Sequence, residues 1–294
     1  MNKCPVCKSE CKPSDIECAV CGFPEPNVEF VSKADAEEWR IKTLEPCRAI
    51  WRKVQISLNN VAWSNAGDSS PNTKIYEGSS SEFELQDLPD GSVVIKKFLG
   101  FETNELIVPS RIDGKIVSVI GAGAYKNCSQ ITSVIISDGI RHIAGEAFLE
   151  CVSLKSIQLP ASLEGIGEKD NCIYWGAFTR CTSLEQVICP DNLQMIGHRT
   201  FSECTSLKNI TINENLSFIG DGVFDTCMSL TNIYIPKSVK AIGKGVFECW
   251  ERNGSSFKRI PHDITIHCHP GSYVLSYARE NNLNCARVER DISR

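Results

Sequence analysis

A 23-residue phrase recurs six times and leaves the chain little freedom in how it folds. Its opening residues are Ile120, Ile143, Ile166, Ile196, Ile219 and Ile242, spaced 23, 23, 30, 23 and 23 residues apart; the third copy is longer by seven. A fixed period of this length marks a solenoid, in which no unit can bury its apolar face alone and each does so against its neighbours. Such arrays usually serve as binding scaffolds.

Each column of the repeat has a physical task. The Ile is followed by Gly in five copies and by Ala144 in the other, which lets the backbone turn closely. A small residue and an aromatic come next: Ala124-Tyr125, Ala147-Phe148, Ala177-Phe178, Thr200-Phe201, Val223-Phe224 and Val246-Phe247. Stacked, these rings would form a continuous spine. Three residues on is a cysteine column (Cys128, Cys151, Cys181, Cys204, Cys227), where a small, weakly polar side chain suits a tight buried corner. The pattern Leu-x-x-Ile-x-Ile, as in Leu230, Ile233 and Ile235, then alternates as a strand does, and Pro160, Pro190 and Pro236 close that strand in three copies. One strand per copy predicts a parallel ladder with one face exposed.

The 16 cysteines would suggest disulfides in a small secreted chain, but their placement points elsewhere. Five precede Phe23, within CPVCKSECKPSDIECAVC, and two Cys-x-x-Cys pairs separated by ten residues make a tetrahedral thiolate site. Cys4, Cys7, Cys18 and Cys21 are therefore the expected ligands of one structural Zn2+ in a small ribbon, residues 1–24, whose folding the metal would drive. Cys11 is a competing ligand that the symmetry of the pairs disfavours. Both cysteine uses favour a reducing compartment, and with no apolar h-region in MNKCPVCKSEC the expected address is the cytoplasm.

Residues 25–58 read as a helical connector, with Ser32 and Asp35 at a helix start and Pro46 kinking it or opening a second helix through Trp51. Residues 59–82, rich in Asn, Ser, Gly and Asp, read as a linker, and the solenoid is expected over 83–290. Its first part, 83–119, carries turns at Asp90-Gly91 and Asp113-Gly114 between strand-like runs and reads as atypical capping units. Its last part predicts a capping helix over 272–282, with Tyr273, Leu275, Tyr277 and Ala278 sealing the final aromatic.

The repeat phrase IG..AF..C.SL..I.IP..V resembles the BspA-like, or treponemal-type, leucine-rich repeat family over residues 92–290. The resemblance implies a mainly β solenoid of short parallel strands and turns, and a role in adhesion or protein binding on microbial surfaces. The N-terminal segment is similar to short zinc-ribbon modules of bacterial proteins, a likeness specific for metal and not for function. The chain departs from the repeat family in carrying that ribbon and in lacking an export signal.

A net charge of -5 with only short basic clusters disfavours nucleic acid, and no stretch approaches the ~20 apolar residues of a membrane span. No nucleophile elbow, phosphate loop or His-Glu-x-x-His motif is present, so no small-molecule substrate is expected. His262, His267, Cys268 and His269 are read as solvated residues beside the cap, not a second metal site. Two surfaces remain for a protein partner. One is the insertion, where Tyr174 and Trp175 are of the kind enriched in hot spots, unless they tuck back onto the array. The other is the outward strand column Ile135, Gln158, Ile188, Thr211, Tyr234 and Thr265, in which Ile135, Ile188 and Tyr234 are expected to be exposed apolar groups. The reading is a non-enzymatic, cytoplasmic protein-interaction scaffold. The alternatives are an adhesin exported without a recognisable signal and, more weakly, a nucleic-acid-associated regulator acting through the ribbon.

Overall fold

The structure is a computed structural model that describes residues 2–3, 10–11, 76–100, 103–167, 175–253, 256–260 and 262–288. Cys4, Cys7, Cys18, Cys21, the helical connector 25–58 and Tyr174 lie outside the described residues. Near the N-terminus, Asn2–Lys3 pairs antiparallel with Glu10–Cys11.

From Tyr76 onward the chain winds as a β-solenoid with two strands in each regular coil. The longer strands stack in the order Glu105–Val108, Ser133–Ile136, Ser156–Gln158, Gln186–Ile188 and Asn209–Thr211, all parallel. Asn232–Tyr234, Thr265–Cys268 and Asn284–Arg287 form a further parallel ladder at the C-terminal end. The shorter strands end on the Ile that opens each phrase, and the Ile residues pair coil to coil: Ile120 with Ile143, then Ile166, Ile196, Ile219 and Ile242. Alternation does the sorting, because Val134, Ile136, Val187 and Ile210 point inward and are buried while their neighbours face out.

The spine of rings is present and longer than the repeats alone suggest. Phe83, Phe98, Tyr125, Phe148, Phe178, Phe201, Phe224 and Phe247 follow one another at centroid distances of 5.0 to 5.9 Å. From Tyr125 on, the planes lie within 14° of parallel. The glycine that follows the Ile in five of the six copies allows close approach of neighbouring coils: a Cβ on Gly121 would sit 2.7 Å from the Ile95 carbonyl oxygen.

The cysteine column is buried from Cys151 on, with Cys128 in its first coil only partly so, and it makes a bond the sequence does not reveal. The thiols of Cys151, Cys181, Cys204 and Cys227 donate to the carbonyls of Tyr125, Phe148, Phe178 and Phe201 at 3.1 to 3.2 Å. Each such carbonyl also accepts the backbone N–H of the cysteine in its own coil, as Phe178 does from Cys181. Both lone pairs of a deeply buried acceptor are thereby used. The residue before each cysteine, Asn127, Glu150, Arg180, Glu203 or Thr226, adopts a left-handed φ of 59 to 62°. Its N–H donates to the following coil, as Glu150 does to Thr179 and Arg180 to Ser202, so the turn is held in place despite its strain.

Both ends are capped. Phe83–Asp87 and Val93–Phe98 form the expected antiparallel hairpin around Gly91, and Arg111–Ile112 folds back on Lys115–Ile120 through Asp113 and Gly114. Strand pairing extends before residue 83: Glu77–Gly78, placed in the linker by composition, pairs with Arg111–Ile112, and Gly78 fits because it packs against Pro109 and Phe83. At the other end the helix is Tyr273–Glu280. Leu275, Tyr277 and Ala278 are buried, but Tyr273 is 41% exposed and Val274 takes its inward place. Two elements were not anticipated: the hairpin Cys249–Asn253/Ser256–Ile260 and the closing strand Asn284–Arg287.

Candidate interaction surface

The register of the long-strand ladder defines its outer face residue by residue. One outward column runs Ile107, Ile135, Gln158, and a second run pairs Ile188 with Thr211; at the C-terminal end Tyr234 faces His267 and then Ala286. The parallel column two residues earlier is polar throughout: Glu105, Ser133, Ser156, Gln186, Asn209, then Asn232, Thr265 and Asn284. Ile107, Ile135 and Ile188 are partly exposed apolar groups beside this polar column. Ile135 and Ile188 lie where the sequence places them. Ile107 was missed because its unit lacks the repeat phrase.

Two expectations for this face are corrected. Thr265 belongs to the polar column opposite Asn232, and His267 stands beside Tyr234, because Ile266 is the inward partner of Ile233 and buried Cys268 follows two residues on. Tyr234 is only 6% exposed. Its hydroxyl donates to Glu214 Oε1 at 2.7 Å and meets His269 Nε2 at 2.9 Å. The phenol is thus tied into a polar network and is no free apolar anchor.

The same network overturns the reading of the histidines as solvated. His267 and His269 are 7% and 8% exposed, and His267 Nε2 lies 3.3 Å from Asn232 Oδ1. Burial holds the His262 imidazole below its ordinary pKa. Among the described residues no group of three or more His, Cys, Asp or Glu side chains is placed to hold a metal.

Trp175, at the end of the insertion, packs back onto the array. Two guanidiniums lie over its ring, with Arg180 Cζ 4.9 Å and Arg199 Cζ 5.3 Å from the centroid. Its carbonyl accepts from the Glu146 N–H at 3.1 Å. Arg180 also bridges Glu150 at 2.8 Å and Glu203 at 3.1 Å, so one side chain links three coils. These contacts lie on the turns on either side of the aromatic, a different part of the coil from the long strands. Trp175 and the Ile135–Ile188 face therefore do not form one patch.

A second surface, not anticipated, is a groove of about 410 Å³ on the short-strand ladder, lined in part by Val119, His142, Gly165 and Met195. It forms where Gly165 interrupts the outward column, and the side chains of His142 and Met195 lean over the gap. The exposed Arg141–Glu164 fork at 2.8 and 3.0 Å stands on its rim. That fork holds the Glu164 carboxyl below its ordinary range and Arg141 above its own.

Two strands per coil, a ring spine and a phrase of 23 residues define a leucine-rich repeat solenoid. The BspA type leucine rich repeat region matches in six copies over residues 118–174 and 171–268, just over half of the chain, and the chain belongs to that family. Similar solved structures include the T. pallidum leucine rich repeat protein, 26% identical with TM-score 0.43, covering 65% of this chain and 71% of that one. A leucine rich cell surface protein from Faecalibacterium prausnitzii A2-165 is 18% identical, with TM-score 0.40 and coverage of 76% and 74%. The pneumococcal vaccine antigen PcpA is 18% identical, with TM-score 0.42; the match covers 71% of this chain and 48% of PcpA. No curated protein matches this chain.

Proposed function

We propose that this protein is a non-enzymatic interaction scaffold that binds a protein partner on the outer face of its long-strand ladder. The observation that carries this reading is the in-register pairing of Ile107 with Ile135, and farther along Ile188, beside a polar column running from Glu105 to Asn209. Apolar anchors set in a hydrogen-bonding surround match the make-up of protein interfaces. Family membership agrees, since repeat solenoids present extended surfaces of this kind. The test is affinity capture from native lysate with Ile135→Lys/Ile188→Lys protein beside the wild type. Partners retained by the wild type should be lost from the variant while its circular dichroism stays unchanged. Equal recovery by both would move the site elsewhere.

The reading includes one structural Zn2+ on Cys4, Cys7, Cys18 and Cys21, supported by the paired Cys-x-x-Cys spacing. Elemental analysis should give about one zinc per chain, lost in Cys7→Ser and kept in Cys11→Ser; the reverse pattern would replace the ligand set. We read a cytoplasmic site of action from the placement of the cysteines in the sequence. Cell fractionation separates it from the surface-exposed role that the family also accommodates.

A further inference from the structure

The last coil carries two thiols whose surroundings differ from those of the cysteine column. Cys268 ends the strand Thr265–Cys268, and Cys285 lies in the neighbouring strand Asn284–Arg287, 17 residues on. Their sulfurs are 3.0 Å apart. That is nearer than the roughly 3.5 Å at which heavy atoms pack without bonding, and about 1 Å beyond a disulfide bond. Register places Cys285 beside Ile266 and Cys268 beside Arg287, so the thiols are diagonal neighbours, and both pack on the core.

Their chemistry is unequal. Cys268 is buried, whereas Cys285 is partly exposed at the end of the solenoid. The hydrogen bond between the two thiols, aided by the Arg287 and Arg279 charges, holds the Cys285 thiol below its ordinary pKa; the same bond and burial raise Cys268. A partly exposed thiol of lowered pKa next to a buried one is the arrangement of an attacking and a resolving cysteine. Cys151, Cys181, Cys204 and Cys227 offer no competition, being buried, raised by desolvation and committed to carbonyls.

We propose that Cys268 and Cys285 are a modification site at which a low-molecular-weight disulfide, such as oxidised glutathione, forms a protein disulfide that staples the closing strand to the coil beneath it. The Cys285 thiolate attacks one sulfur of the oxidant; the oxidant's S–S bond breaks, and one thiol leaves after taking up a proton. Cys268 then loses its proton to water and attacks the Cys285 sulfur of the mixed disulfide, expelling the second thiol. Two protein thiols are oxidised and one disulfide is reduced to two thiols. The bond closes a loop that contains the cap helix Tyr273–Glu280, so it restrains opening of the array's C-terminal end. In a reducing compartment the staple forms only when the thiol–disulfide balance shifts.

The test treats reduced, full-length protein with oxidised glutathione, quenches by alkylation, and maps cysteines by peptide mass spectrometry. The expected product is a peptide pair joined through Cys268 and Cys285, two hydrogens lighter than its reduced parts. Amide exchange over the cap helix should slow roughly tenfold or more in the oxidised protein and recover with dithiothreitol. Cys268→Ala should trap glutathione on Cys285, and Cys285→Ser should leave Cys268 unmodified. The proposal fails if wild-type Cys285 stops at the mixed disulfide, if both thiols stay alkylatable, or if either pairs with another cysteine. The wild-type measurement decides it even where a variant folds poorly.

Discussion

Removing one ring from the spine should cost far more than removing the same ring from the outer surface. Phe201 is fully buried between Phe178 at 5.6 Å and Phe224 at 5.9 Å, both within 7° of parallel. In Phe201→Ala the neighbours cannot close the gap, because coil spacing is fixed by the ladder and by bonds such as Phe178 N–H to Thr200 and Phe201 N–H to Val223. A cavity therefore persists, and truncation of a buried Phe costs about 3–5 kcal/mol. Losing two stacked contacts places the expected value in the upper half of that range, about 4 kcal/mol. Phe218 is the control: it stands on the outward column of the short strands, partly exposed, with an edge contact to His198 at 6.2 Å. Phe218→Ala should cost about 1 kcal/mol or less. With a urea slope of about 2 kcal/mol per molar, the unfolding midpoint falls by about 2 M for Phe201→Ala and by at most about 0.5 M for Phe218→Ala. Far-ultraviolet circular dichroism in urea reads both. Equal shifts would refute the view that the spine, and not apolar content in general, holds the coils together.

Alkali should destabilise the fold through its buried thiols. Burial pushes Cys189 up to about 12 from an ordinary 9.0, so above about pH 9 the unfolded chain releases a proton that the folded chain keeps. Stability is full below about pH 9 and falls by up to about 1.4 kcal/mol per pH unit for each such thiol until about pH 12. Urea titrations at pH 7.5, 9 and 10 should show a shallower decline in Cys189→Ala than in the wild type, and identical slopes would contradict the assignment. Trp175→Ala removes two guanidinium contacts and should cost about 1–2 kcal/mol in urea, with part of the loss restored in Trp175→Phe. Arg180→Ala should cost more than an ordinary surface pair, at roughly 1–2 kcal/mol, because the same side chain serves Glu150, Glu203 and the indole.

The periodic core was legible because every coil repeats the same burial problem. The Ile, aromatic, Cys and Leu columns had to face inward, and they do. Features that break or lack the period were not legible. Ile107 occupies an outward repeat position in a unit with no repeat phrase, and Tyr234 has a strand position but is covered by Glu214 and His269, which are distant in sequence. The hairpin Cys249–Asn253/Ser256–Ile260 had a usable signal, the Asn253-Gly254 pair between strand-like runs. The left-handed column had none, since Glu, Arg and Thr occupy it as well as Asn; the coil-to-coil bond selects that conformation, not the side chain.

The third copy shows where such an array can vary. Seven extra residues lie between Ile166 and Phe178, yet Ile166 pairs with Ile143 and Ile196, and Phe178 stacks on Phe148 at 5.2 Å as well as on Phe201. A coil is thus pinned at its short strand, ring, thiol and long strand, while the length between pins is free. The hairpin after Phe247 uses the same freedom in another coil. On the long-strand face there is no such freedom, because the coils repeat about every 4.8 Å and every outward residue keeps its register. A partner docking there must match a fixed pitch, and selectivity rests on which side chains fill the columns. Ile107, Ile135 and Ile188 supply the apolar points along that pitch, with the neighbouring Ser, Gln and Asn residues setting the hydrogen bonds between them.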